Sequence, residues 1–313
     1  MSTPLNIVYM GTPEFAVPPL NALAETPHMV SLVVTRPDKP KGRGRKLSSP
    51  PVKVTAAALG YPVAQPASVK DPAFVEKLRN LSPDVLAVVA FGSILPKEIL
   101  DIPRFGAVNI HPSLLPGYRG PSPIQWAIAC METETGVTSM FLDEGMDSGD
   151  IIMAEKTAIH EDETAGDLHD RLAVLGGEVL VKSLAQIADG TAAPTPQDDA
   201  AATFSPVLKK SHGRIDWHQP AEKIRAMING MNPWPGAFTF FGEKRLKIWK
   251  ASPVQVATEA PPGTVIKSFP GEIRVAAGEG CLAITEIQGE SGKRLKTADF
   301  LRGCDIPEGS VLT

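Results

Sequence analysis

Short apolar runs alternate with longer amphipathic stretches over the first 190 residues. The runs are rich in β-branched residues, which is typical of strands that are buried on both faces of a sheet. They lie at residues 5–10, 30–35, 85–90, 107–110 and 138–142. Helix-like stretches lie at residues 14–24, 51–59, 72–81, 122–130 and 164–188. This alternation predicts a mostly parallel sheet that is covered by helices.

The pattern changes after residue 190. Residues 190–206 are small and polar and include prolines, so we place a linker at 190–208, between a domain at 1–189 and a second at 209–313. The second domain has one predicted helix at 221–229. Its short strand candidates are residues 238–241, 246–249, 263–267, 273–276 and 282–287. The predicted fold class is therefore α/β, with a Rossmann-like domain followed by a small C-terminal β-barrel of OB-like type.

Composition narrows the class of protein. The chain has 313 residues, of which 43% are hydrophobic and 21% are charged, as in a soluble globular protein with two domains. No apolar run is long enough to span a membrane, and the N-terminus lacks the features of a signal peptide. The three cysteines are an odd number without metal-ligand spacing. We therefore expect a cytoplasmic monomer with no membrane partner, no disulfide framework and no bound metal.

The net charge of −4 conceals an asymmetry between the two parts of the chain. Residues 1–208 contain 16 Lys and Arg against 24 Asp and Glu, whereas residues 209–313 contain 15 against 11. A basic C-terminal part on an acidic protein suggests a polyanionic partner. A solvated surface would explain the same charges.

Two polar residues stand out at the fourth predicted strand. Asn109 and His111 flank Ile110, so they project from the same face of the strand. Open α/β sheets bind ligands at the carboxyl ends of their strands. The loop that follows is rich in proline and glycine, which leaves backbone groups available to a ligand. From these residues alone, a structural histidine and a catalytic one remain equally open.

A second polar segment follows the fifth predicted strand. Residues 142–151 form a turn-prone segment in which Gly145 and Gly149 flank Asp147. Its four acids are Asp143, Glu144, Asp147 and Asp150. Their spacing does not match an EF-hand calcium loop. A solvated acidic loop is the alternative to a functional one.

Together these segments resemble the signature of the 10-formyltetrahydrofolate-dependent formyltransferase family. The residues in question are Asn-Ile-His-Pro-Ser-Leu-Leu-Pro at 109–116 and Gly-Met-Asp-Ser-Gly-Asp-Ile at 145–151. The resemblance implies that Asn109, His111 and Asp147 form a catalytic triad. It also implies folate contacts for the loop residues Ser113, Leu114, Leu115 and Pro116, with 10-formyltetrahydrofolate as the co-substrate and no metal.

These residue types suit formyl transfer. A neutral amine attacks the formyl carbon and produces an oxyanion, to which the amide of Asn109 and a protonated His111 could donate. Each such donor contributes about 3 kcal/mol to transition-state stabilisation. Asp147 beside the ring should raise the pKa of His111 from the usual ~6.5. We therefore hypothesise that His111 acts mainly as an oxyanion stabiliser.

A cluster of basic residues follows the second predicted strand. The cluster consists of Arg36, Lys39, Lys41, Arg43, Arg45 and Lys46, with Asp38 as its one acid. Mobile Arg and Lys side chains suit phosphodiester contacts, although a merely solvated loop is the alternative. The segment resembles the branch of the family that formylates initiator methionyl-tRNA for translation initiation. That resemblance implies tRNA contacts for Arg43, Arg45 and Lys46.

The C-terminal domain begins with the sequence KKSHGRIDW at residues 209–217, which resembles the same branch. This implies tRNA contacts for Lys209 and Lys210. Trp217, Trp234 and Trp249 could stack on bases, but single tryptophans are more often core residues.

Three other functions fit less well. A nicotinamide-dependent oxidoreductase would need a Gly-x-Gly-x-x-Gly turn, where this chain has Met-Gly-Thr-Pro-Glu-Phe at 10–15. A non-catalytic RNA-binding protein would not need Asn109, His111 and Asp147. A formyltransferase that acts on a small amine would need the triad but not the basic segments.

Overall fold

The computed structural model describes residues 3–41, 46–269, 272–290 and 292–313. The chain divides into two compact units. Unit 1 comprises Met1–Gly120, Glu134–Ala158 and His169–Ser205, and unit 2 comprises Pro121–Thr133, Ile159–Leu168 and Pro206–Thr313. Residues 190–205, which the sequence suggested as most of a linker, therefore belong to unit 1.

A central sheet organises unit 1. In chain order the strands of this unit are β1 (Asn6–Gly11), β2 (Met29–Val34), β3 (Lys39–Lys41), β4 (Lys46–Ser48), β5 (Val63–Ala64), β6 (Val85–Val89), β7 (Ala107–His111), β8 (Glu134–Phe141) and β9 (Ile151–Ala158). Within the described residues the sheet has the order β5-β2-β1-β6-β7-β8-β9. The pairs from β5 to β7 are parallel, and β8 and β9 are antiparallel. The five predicted strands are confirmed, whereas the edge strand β9 was not predicted.

Helices cover this sheet, and two of them, α3 and α6, begin at the caps that the sequence predicts. They are α1 (Val17–Ala24), α2 (Pro51–Ala58), α3 (Pro72–Leu81), α4 (Lys97–Leu100) and α6 (Ala165–Asp189), while α5 (Pro123–Ala129) belongs to unit 2. Asp71 caps α3 by accepting a hydrogen bond from the Ala73 N–H at 3.0 Å. The predicted capping box of α6 is also present, because Thr164 and Asp167 exchange backbone-to-side-chain hydrogen bonds.

The basic segment after β2 includes a small hairpin. Strands β3 and β4 pair antiparallel, with Lys39 opposite Ser48. At the base of this hairpin, the Asp38 carboxylate accepts hydrogen bonds from Lys53 and Gln65. Arg43 and Arg45, for which we predicted tRNA contacts, lie outside the described residues. Lys46 forms the first residue of β4.

Unit 2 contains the C-terminal antiparallel sheet. Its strands and remaining helices are α7 (Ala221–Gly230), β10 (Ala237–Phe241), β11 (Lys244–Val254), β12 (Val265–Phe269), β13 (Glu272–Ala276), β14 (Cys281–Gly289), β15 (Leu295–Lys296) and α8 (Thr297–Leu301). The order is β10-β11-β14-β13-β12, and β15 pairs with β14. Thr313 hydrogen-bonds Phe240 on one edge strand, and Ser310 hydrogen-bonds Val265 on the other. The last residues thus connect the two edges of the sheet, which confirms the predicted barrel.

Each unit has its own apolar core. In unit 1 this core includes Val8, Leu86 and Ile99, and in unit 2 it includes Trp217 and Ile284. Among the described residues, no helix combines the length and apolar character that crossing a membrane requires.

Candidate active site

Strand β7 presents two polar side chains on one face. Asn109 and His111 point to this face, while Ile110 between them is buried on the other. His111 is 5% exposed, and Asn109 is partly exposed. Within the described part of the chain, the Asn109 side chain makes no hydrogen bond. Its amide is therefore available to donate to a bound molecule.

The imidazole of His111 is oriented by a backbone carbonyl. Its Nε2 lies 3.0 Å from the carbonyl oxygen of Tyr118. A carbonyl oxygen only accepts hydrogen bonds, so Nε2 carries a proton and donates it. The other ring nitrogen, Nδ1, is then the atom that gains and loses a proton.

Asp147 lies on the Nδ1 side of the ring. Its Oδ2 is 3.6 Å from His111 Nδ1 and accepts a hydrogen bond from the Gly120 N–H at 2.8 Å. The separation from Nδ1 is longer than a direct hydrogen bond but short enough for the carboxylate to stabilise a protonated ring. The structure therefore brings His111 and Asp147 together, although 36 positions separate them in the sequence.

Burial dominates the protonation of His111. Removal of the ring from water lowers the pKa of His111 below its usual value, and the attraction of Asp147 and the Tyr118 carbonyl only partly offset this. Asp147 does raise this pKa, as we expected, but desolvation is the larger effect and the net shift is downward. The ring is neutral at neutral pH, so it does not begin the reaction as the imidazolium donor that we hypothesised.

The loop after β7 is held by a buried threonine. Thr138 Oγ1 donates to the Ser113 carbonyl at 2.7 Å and accepts from the Leu115 N–H at 3.1 Å. The side chains of Ser113 and Leu115 are buried, and the Ser113 hydroxyl donates to the Gly117 carbonyl. Leu114 and Pro116 are partly exposed. We predicted folate contacts for four residues of this loop, and the side chains of these two are accessible to a ligand. The contacts themselves stay a prediction.

Sequence reasoning missed a glutamine that contacts the Asp147 turn. Gln197 Nε2 donates to the carbonyls of Asp147 and Gly149 at 2.9 and 2.8 Å. Its Oε1 accepts from Arg119 Nε at 3.0 Å. Gln197 lies in the segment that we interpreted as a linker, and its partners are 48 to 78 residues away in the sequence. No local sequence pattern predicts these contacts of Gln197.

Unit 2 has a second candidate site on the outer side of its sheet. Phe238 pairs with Lys247 and Phe240 pairs with Arg245, so these four side chains and Trp249 share one face. We call these five residues the basic–aromatic face. The Arg245 guanidinium lies 3.9 Å from the Phe238 ring centre, and Lys247 Nζ lies 5.3 Å from that of Trp249. Burial and repulsion from Arg245 lower the pKa of Lys247, so an anion bound here would relieve that repulsion.

The other predicted tRNA contacts in unit 2 have different surroundings. Lys209 and Lys210 are exposed near the beginning of the Pro206–Thr313 segment of this unit. Trp234 is 52% exposed, whereas Trp217 is buried and donates a hydrogen bond to Thr239. Trp217 is therefore a core residue and cannot stack on a base.

Comparison with known proteins extends over both parts of the chain. A family model described as formyl transferase matches residues 5–184, and a second, formyl transferase C-terminal domain, matches residues 207–305. Methionyl-tRNA formyltransferase of Pelotomaculum thermopropionicum is 50% identical over 309 residues, which cover 98% of this chain and 98% of that protein. The protein of the same name from Caldanaerobacter subterraneus subsp. tengcongensis is 48% identical, with 98% and 100% covered.

Solved structures share the fold at lower identity. An N-formyltransferase from Helicobacter canadensis, in complex with folinic acid and dTDP-3-aminofucose, has a TM-score of 0.68 at 18% identity and covers 94% of this chain and 100% of its own. HypX from Aquifex aeolicus in complex with tetrahydrofolic acid has a TM-score of 0.65 at 18% identity, with 96% and 47% covered. At these identities the likeness concerns the fold. The family models and the relatives near 50% identity confirm the resemblance of the sequence motifs, and the chain belongs to the formyl transferase family.

Proposed function

We propose that this chain transfers the formyl group of 10-formyltetrahydrofolate to the free amino group of initiator methionyl-tRNA. The product is N-formylmethionyl-tRNA, which serves translation initiation in the cytoplasm. Relatives that are 45–50% identical over nearly the whole chain are named methionyl-tRNA formyltransferase. The observation in the molecule that carries the proposal is the buried His111, whose Nδ1 lies 3.6 Å from Asp147.

His111 acts as the proton acceptor. The neutral amine attacks the formyl carbon as a nucleophile. Once the C–N bond has formed, the amine nitrogen carries a proton that it must lose. His111 Nδ1 takes this proton, because its own Nε2–H is engaged by Tyr118. The imidazolium that results lies 3.6 Å from Asp147, whose charge stabilises it.

Asn109 stabilises the oxyanion that attack generates. Its amide lies on the same face of β7 as His111 and can donate to the former formyl oxygen. When the tetrahedral species collapses, the bond between the formyl carbon and N10 breaks. The leaving N10 takes the proton back from His111, so the ring returns to its neutral state and tetrahydrofolate is released.

The folate and the tRNA use different surfaces in this proposal. Loop residues 113–116 border the folate, with Leu114 and Pro116 offering apolar surface. The acceptor end of the tRNA contacts the basic segment that contains Arg43, Arg45 and Lys46. In the second domain, Lys209 and Lys210 and the basic–aromatic face bind phosphates and bases.

The test supplies 10-formyltetrahydrofolate labelled in the formyl group, with three acceptors in parallel reactions. These are methionyl-tRNA, an amino-sugar nucleotide and water alone. We expect label in acid-precipitable tRNA, with no label transferred to the sugar. Label on the sugar alone would indicate a small-molecule formyltransferase. Tight tRNA binding without transfer would indicate a non-catalytic binding protein and would contradict the proposal.

A further inference from the structure

Residues 195–205, which we call the bridging segment, run along two loops of unit 1. Thr195 exchanges backbone hydrogen bonds with Ile151, just after the Asp147 turn. At the other end, the Arg119 N–H donates to the Thr203 carbonyl and the Ser205 N–H donates to the Arg119 carbonyl. The bridging segment is thus attached both to the loop that orients His111 and to the turn that carries Asp147.

Gln197 is the residue of this segment that contacts both loops with one side chain. Its amide nitrogen donates to the carbonyls of Asp147 and Gly149, and its amide oxygen accepts from Arg119. Gln197 and these three partners all lie within unit 1. Arg119 is buried, and its Nη2 lies 2.8 Å from the exposed Asp199 carboxylate.

The Asp147 turn needs such support. Asp147 has a φ of +53°, the left-handed region that costs an L-residue about 1–2 kcal/mol. Residues 143–146 of the turn are exposed, so apolar packing does not hold them.

The residues on either side of Arg119 connect the hydrogen bonds of Gln197 to His111 and Asp147. Tyr118 accepts the hydrogen bond of His111 Nε2, and Gly120 donates to Asp147 Oδ2. Arg119 lies between them in the sequence and is held by Gln197. A displacement of either loop therefore alters the separation between His111 and Asp147.

We propose that Gln197 is a positioning residue for formyl transfer, whose side chain holds the Asp147 turn against the Tyr118–Gly120 loop. Gln197 is not a catalytic residue, since its hydrogen bonds go to carbonyls of the turn and to Arg119. Its effect on rate rests on the proposed function, whereas its effect on the loops does not.

The test compares three single variants in the full-length chain. Gln197→Ala removes the side-chain hydrogen bonds to Asp147, Gly149, Arg119 and the Met140 sulfur. Gln197→Glu retains the acceptor for Arg119 but cannot donate to the two carbonyls. It replaces the alanine variant in the test if that variant does not fold. Asn6→Ala is the matched control, because the Asn6 amide also donates to two backbone carbonyls in unit 1, those of Leu81 and Ser82.

The first readout is the hydrogen-exchange rate of the Gly120 amide, which requires no activity. We expect it to rise at least tenfold in both Gln197 variants and to stay within twofold of wild type in Asn6→Ala. Unchanged exchange in the Gln197 variants would overturn the proposal. A wild-type chain that transfers no formyl group would contradict the proposed function while leaving this measurement intact.

The second readout is kinetic. Displacement of a catalytic group by about 1 Å can cost ~10²-fold in rate, so kcat should fall ten- to a hundredfold while KM for the folate stays within twofold. Asp147→Asn should lower kcat strongly in wild type and much less in the Gln197→Ala background, since the carboxylate is already displaced. Equal effects of Asp147→Asn in the two backgrounds would overturn the positioning role.

Discussion

Asp147 Oδ2 accepts a hydrogen bond from the Gly120 N–H at 2.8 Å and lies 3.6 Å from His111 Nδ1. The same oxygen thus faces a backbone donor and the titrating nitrogen of the ring. The backbone hydrogen bond fixes the position of the carboxylate, while the charge acts on His111. These two roles can be separated by substitution.

Asp147→Asn is expected to retain the first role and lose the second. An asparagine oxygen can still accept from Gly120, and asparagine tolerates the left-handed backbone that this position has. Without the negative charge the imidazolium is less stable, and the pKa of His111 falls further. We expect single-turnover formyl transfer to slow by about 10²-fold or more, within the range for acid–base catalysis. An unchanged rate would show that the charge is dispensable.

His111→Gln should remove the proton acceptor while approximately preserving the volume of the side chain. We expect kcat to fall by about 10²- to 10⁴-fold. Folate affinity, measured by equilibrium fluorescence titration, should change little, because the predicted folate contacts are in the loop after His111. Loss of folate binding in step with activity would instead place His111 in the binding site alone.

Asn109→Ala tests the oxyanion donor. Removal of one such donor typically costs about 10²- to 10³-fold in kcat. Asn109→Asp is a useful companion, since a carboxylate cannot donate and its charge would repel the oxyanion. We expect it to be at least as impaired as the alanine variant, and an aspartate variant near wild type would rule out the assignment.

The protonation of His111 should also affect folding stability. Its folded pKa lies below the unfolded value of ~6.5, so as pH falls the unfolded chain takes up the proton first. The free energy of unfolding contributed by the neutral ring is fully present above about pH 6.5 and is lost as pH falls toward the folded pKa. Urea unfolding at a series of pH values should therefore show wild type losing stability relative to His111→Gln below about pH 6.5. A constant difference across this range would mean that His111 is not the titrating group.

The tRNA contacts predict a strong dependence on salt. Arg43→Ala and the double variant Lys209→Ala/Lys210→Ala should weaken tRNA binding, and each lost phosphate contact should reduce the salt slope by about 0.7 to 0.9. KM for the folate should not change. Lys77→Ala is the control, since Lys77 is an exposed lysine of α3 outside the predicted contacts. The basic-segment hypothesis fails if Arg43→Ala behaves like Lys77→Ala.

Local patterns were sufficient for the five predicted strands of unit 1 and for the shared face of Asn109 and His111. Alternation along β7 placed Asn109 and His111 on one face because side-chain direction in a strand depends only on position. The capping residues Asp71 and Thr164 were equally local signals, and both caps are present. Strand β9 was missed because it is an edge strand, with Glu155 and Lys156 in a run that is buried only in part.

The remaining features depend on contacts that are distant in sequence. Asp147 could be linked to His111 only through the family motif, since its turn is held by Gly120 and Gln197, which are 27 and 50 residues away. The direction of the His111 pKa shift depends on burial by residues that the sequence does not identify. The bridging segment has the composition of a linker, and its attachment to Arg119 is made largely by backbone atoms.

The position of the bridging segment in the sequence also determines when its contacts can form during protein synthesis. Strand β9 ends at Ala158 and helix α6 at Asp189, so the sheet and helices of unit 1 are complete before Gln197 and Thr203 have been translated. A chain that ends at residue 189 therefore contains the strands and helices of unit 1 but lacks the residues that connect the His111 and Asp147 loops. The hydrogen bonds of Gln197 and Arg119 can therefore form only after the strands and helices of unit 1 have been synthesised.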